Sequence, residues 1–77
     1  MEKAEFKKVL IELGFFQSGS EGRRTDYTLS LKNGARLWVR IIPSKDTASV
    51  IFGKSGWRME SYKEAIEFIQ DKLNKFG

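Results

Sequence analysis

The sequence predicts an α+β domain with two helices and a three-stranded antiparallel meander, in the order α-β-β-β-α, both helices packing on one face of the sheet. Three observations predict it. Apolar residues recur at helical spacing near both ends, they alternate with polar residues through the middle, and Gly-containing turns separate the alternating runs. A chain of 77 residues has room for one core, so residues 1–77 read as a single domain. With 40% hydrophobic residues, it needs no crosslink or metal to fill that core.

The first helix is expected over residues 2–13, where Phe6, Val9, Leu10 and Leu13 fall at i, i+3, i+4 and i+7. Gly14 ends it, and Glu2 and Glu5 complement the positive end of its dipole. Residues 17–22 are polar and rich in Gly and Ser, which predicts a loop. Residues 24–31 then alternate Tyr27, Leu29 and Leu31 against Asp26, Thr28 and Ser30, and residues 36–43 alternate Leu37, Val39 and Ile41 against Arg36, Trp38 and Arg40. Both are half-buried strands.

The register between them follows from packing. A two-residue Asn33-Gly34 turn would set Leu29 opposite Trp38 and split the apolar set across both faces. A three-residue Lys32-Asn33-Gly34 loop, with Gly34 left-handed, sets Leu29 opposite Leu37 and Tyr27 opposite Val39. Each large apolar side chain contributes roughly 1.5 to 3 kcal/mol when buried, so the second register is preferred. A third strand over 47–52 presents Ala48, Val50 and Phe52 to the core, with Val50 beside Val39 after a four-residue loop, 43–46. A Gly53 to Gly56 connection leads to the second helix, opened by a Ser61/Glu64 capping box and striped by Tyr62, Ala65, Ile66, Ile69, Leu73 and Phe76. Trp57 and Met59 read as residues closing the end of the core, and Phe15 and Phe16 are read the same way.

With these registers the other sheet face carries Trp38 between Arg36 and Arg40, with Ile51 beside it and Asp26, Ser49, Thr28 and Ser30 around them. Residues 17–60 hold eight Lys or Arg against four Asp or Glu, while the helical ends are each balanced, so the net charge of +4 lies entirely in the middle. All five arginines lie there too. Arginine is the cation suited to phosphate forks and to stacking on rings.

These residues predict a nucleic-acid surface. Trp38 stacks on a base, Arg36, Arg40 and Arg24 contact phosphates, and Lys54 and Arg58 are further phosphate candidates. The same face, with Ile51 next to Trp38, equally suits a protein partner: a second copy forming a homodimer, or another macromolecule on which this chain acts as an accessory or inhibitor. A plainer reading is that Trp38 stacks on Arg40 and Asp26 pairs with Arg40, as ordinary sheet stabilisation.

Without Cys or His the chain offers no thiolate nucleophile, imidazole base, disulfide or Cys/His zinc site, so neither an enzyme nor a metal or cofactor is expected. Glu60, Glu64, Glu67 and Asp71 are spaced as the solvent face of a helix rather than as an acid/base pair. No apolar run suits a signal peptide or a membrane span, and the expectation is a cytoplasmic protein. Gly53-Lys54-Ser55 lacks the preceding glycine of a phosphate-binding loop, that position being Ala48. Gly53-Lys54-Ser55-Gly56 has GxxG spacing but follows a strand instead of joining two helices.

The order of elements is similar to that of double-stranded RNA-binding domains and of HicA-type toxins. Entering the last helix, this chain has Lys54, Arg58 and Lys63 in place of the compact Gly- and Lys-rich signature of the former, and it has no His for the activity of the latter. The resemblance to the RNA-binding domains implies contacts from the first helix, the Lys32-Asn33-Gly34 turn and the start of the last helix. It leaves the open sheet face idle.

Overall fold

The computed structural model describes residues 1–21, 24–32, 34–42 and 47–76, apart from the side chains of Ser20, Glu21 and Arg24. The chain runs α1 (Lys3–Glu12), β1 (Phe16–Glu21), β2 (Arg24–Ser30), β3 (Arg36–Ile42), β4 (Thr47–Phe52), β5 (Ser55–Arg58) and α2 (Tyr62–Phe76). The strands form one antiparallel sheet in the order β1-β2-β3-β4-β5. The class is α+β, but the meander has five strands where the sequence predicts three.

The central registers follow the burial argument. Leu29 lies opposite Leu37, Tyr27 opposite Val39 and Val39 opposite Val50. At the β2–β3 turn the Leu31 amide donates to the Ala35 carbonyl at 2.8 Å and the Gly34 amide to the Leu31 carbonyl at 3.1 Å, with Gly34 at φ +87°. Glycine takes that dihedral without a Cβ clash, which lets the longer turn prevail. Asn33 and the 43–46 loop lie outside the described residues.

The two additional strands are the edges of the sheet. β1 occupies much of the segment expected to be a loop, because an edge strand needs only one hydrogen-bonded ladder and tolerates polar residues and glycine. Its pairing with β2 slips between Gln17 and Gly19, leaving Ser18 as the extra residue of a bulge. β5 replaces the expected connection from strand to helix. Phe52 pairs with Ser55, so Gly53 and Lys54 form a two-residue hairpin loop, with Gly53 at φ +63° in its first position. All four residues of β5 are exposed.

The helices cover one face. Phe6 and Leu10 of α1, Tyr62, Ala65, Ile66 and Ile69 of α2, and the inward side chains of β2, β3 and β4 form a single buried cluster. The Phe6 and Tyr62 rings stack at 4.7 Å between centroids, joining the two helices directly. α1 ends in a Schellman arrangement: the Gly14 amide donates to Ile11 and the Phe15 amide to Leu10, both at 3.0 Å, with Gly14 at φ +106°. That turn sends Phe15 into the core.

At the start of α2 the Glu64 amide donates to the Ser61 hydroxyl at 3.1 Å, as a cap requires. The Glu64 carboxylate accepts from the Glu60 amide at 3.2 Å, one residue earlier than in the expected box. At the far end of α2 the Lys72 ammonium lies 5.2 to 5.9 Å from the centroids of Phe52, Phe68 and Phe76. Phe76 also stacks on Phe52 at 5.3 Å, so the last turn is held against β4.

Candidate nucleic-acid interface

Residues directly opposite one another in an antiparallel ladder share a face, so the registers determine what the uncovered side of the sheet displays. One row crosses all five strands as Phe16, Thr28, Trp38, Ile51 and Gly56. The next row is Gly19, Asp26, Arg40, Ser49 and Arg58. On the other side of the first row lie Ser30 and Arg36. An aromatic and aliphatic row is thus flanked on both sides by arginine.

The strand alternation that buries Leu37 and Val39 completely turns Trp38 outward, where it is 41% exposed. Phe16 is 57% exposed at the β1 edge of the same row. Sequence reasoning grouped Phe16 with Phe15 as a residue closing the core, and this is corrected: the Gly14 turn commits Phe15 inward, and alternation puts Phe16 outward. Thr28, between the two rings in register, is buried and donates to the Ser18 hydroxyl oxygen at 2.6 Å. The bulge residue therefore supports the middle of the row.

Arg40 is tied in place. Its Nε donates to the Asp26 carboxylate at 3.3 Å, and its guanidinium lies 5.8 Å from the Trp38 ring centroid. These are the two contacts that the plainer sequence reading names, Asp26 with Arg40 and Arg40 with Trp38. Arg36 and Arg58 are exposed. Arg58 extends the Arg40 row across Ser49, a placement that exists because β5 is a strand. Lys54 is exposed at the β4–β5 turn, the end of the sheet where β3 begins with Arg36. The Arg24 backbone starts β2 opposite Glu21; its side chain lies outside the described residues, as does Arg23. Ile51 is half-buried next to Trp38.

Trp57 belongs to the covered side. It lies opposite Val50 and tilts against Phe68 of α2 at 5.0 Å, while Met59 is buried, its amide donating to Ala48 and its carbonyl accepting from the Thr47 hydroxyl. Both close the core at the β5 edge.

No protein-family model matches the chain, and no curated protein or solved structure matches it. Its function is therefore read from the open face itself. Among the described residues no cluster of carboxylates is placed to hold a metal ion, and no helix is long and apolar enough to cross a membrane.

Proposed function

We propose that this chain is a non-catalytic binding module that takes nucleic acid on its open sheet face. The observation that carries the reading is the exposed Trp38, set in a row with arginine on both sides. A planar ring offers a surface to a base, and the flanking guanidinium groups offer charge-assisted hydrogen bonds to phosphates. Arg36 and Arg58 are assigned the phosphate contacts because both are exposed, with Lys54 extending the charge at one end. Arg40, held by Asp26, positions Trp38 and adds to the positive potential of the face. Arg24 joins the set through its position at the start of β2. The excess positive charge of the whole chain comes from the segment that builds this sheet, which favours a polyanion.

Titrating Trp fluorescence with short oligonucleotides at low and moderate salt tests the proposal. Binding is expected to weaken steeply with salt, because each neutralised phosphate releases counterions. Arg36→Ala and Arg58→Ala should each lower affinity and reduce the slope of log K against log salt by about 0.7 on a single strand. Absence of binding at low salt would sink the reading.

A second reading has its own supporting observation. Phe16, Trp38 and Ile51 put apolar surface in one row, and Trp with Arg is the composition of interface hot spots. A protein partner, including a second copy of the chain, would cover that row.

A further inference from the structure

Resting on the nucleic-acid reading above, we infer that the ligand is single-stranded and that two of its unpaired bases stack on Phe16 and Trp38, with the strand running across the β-strands along their shared row. Phe16 is on β1 and Trp38 on β3, each in register with Thr28 on β2, so the two rings stand two strand separations apart, about 10 Å. That is too far for one base to meet both. It suits two bases of one extended strand, each taking one ring.

Such a pair of platforms has no use for a duplex. Bases inside a double helix present their faces to each other, and only their edges reach the grooves. A ring standing on an open sheet face can stack on a base within a strand only where that base is unpaired. The surface is also wrong for a groove reader, since both helices are engaged in the core cluster on the opposite side of the sheet.

Charge sets the direction of the strand. The row of rings has Arg36 on one flank and Arg40 with Arg58 on the other, each flank about 7 Å from the row along the strands. A strand laid along the row keeps its phosphates within reach of a guanidinium on either side while its bases face the rings. A strand laid parallel to the β-strands would meet one ring only. Beyond Trp38 the row continues to Ile51 and Gly56, where no third ring stands, so the two-ring segment lies between β1 and β3. Thr28, buried between the two positions and bonded to Ser18, provides a low floor between them.

The test compares three probes of equal length at low salt: a single-stranded oligonucleotide, its blunt duplex, and a single strand with abasic sites throughout its centre. The single strand is expected to bind at least about tenfold more tightly than either of the others, since each stacked base contributes a factor of about 5 to 150. Phe16→Leu and Trp38→Leu keep apolar bulk but remove the π face. Each should weaken single-strand binding about tenfold and leave binding of the abasic strand unchanged, with circular dichroism confirming the fold.

Equal binding of the abasic strand, or of the duplex, would overturn this inference while leaving a basic nucleic-acid surface in place. Loss of affinity in Trp38→Leu alone would overturn the two-platform row. If no probe binds and sedimentation shows a dimer that Phe16→Leu or Trp38→Leu dissociates, the face belongs to a second copy, and both this inference and the nucleic-acid reading fail.

Discussion

Tyr27 shows how one position on the sheet carries consequences for stability. It faces the core from β2 opposite Val39, and burial raises its phenol above the ordinary value near 10. The folded state thus holds the proton more tightly than the unfolded chain. Below about pH 10 both states are neutral and the contribution is fully present; above it the unfolded phenol ionises first and stability falls as pH rises through the folded value. Denaturant midpoints measured from pH 8 to 11 should therefore decline more steeply in the wild type than in Tyr27→Phe, which keeps the ring and removes the titrating group. Equal slopes would show that the hydroxyl reaches water. Individual residues also mark the limits of sequence reading. The outward placement of Trp38 was legible, because Leu37 and Val39 on either side demand the core. Phe16 was not, since two adjacent phenylalanines carry no alternation, and which one turns inward depends on the backbone turn at Gly14.

Among the elements, those with strong periodicity were the legible ones. α1, α2, β2, β3 and β4 each bury an apolar stripe, so their residue patterns declare them. The described side chains of β1 and all four of β5 bury little, and both strands pair through the main chain at the sheet edges, which leaves almost no trace in side-chain pattern. A two-residue loop beginning with glycine at Gly53 was the available signal for β5. These strands matter for the site, since β1 supplies Phe16 and β5 supplies Arg58. The entry to β1 depends on the α1 terminus. Gly14 has φ +106°, and a Cβ placed there would lie 3.4 Å from Leu29 Cδ1, so Gly14→Ala meets both backbone strain and contact with a neighbour. It is expected to cost about 1 to 3 kcal/mol by denaturant unfolding. A cost near zero would mean that the turn relaxes, and the inward and outward assignments of Phe15 and Phe16 would lose their anchor.

At the scale of the molecule, the sheet is a partition. Both helices and the whole core cluster lie on one side, and the candidate surface occupies the other. Neighbouring residues of β3 should accordingly respond to truncation in opposite ways. Leu37 has no exposed surface, so Leu37→Ala removes buried methyl groups and leaves a cavity, at a cost of about 2 to 5 kcal/mol. A domain of this size has a total stability of roughly 4 to 12 kcal/mol, so that loss is a large fraction of the whole. Trp38 keeps its Arg40 contact and some cross-strand packing, and Trp38→Ala should cost about 1 kcal/mol or less. Binding should show the reverse ranking: at a temperature where Leu37→Ala remains folded, it retains wild-type affinity for single strands, whereas Trp38→Ala loses at least about tenfold. Measuring both quantities on both variants separates a ring that serves the ligand from one that serves the fold. If Trp38→Ala unfolds the protein as readily as Leu37→Ala does, the indole belongs to the sheet's own packing, and the open face has no platform at its centre.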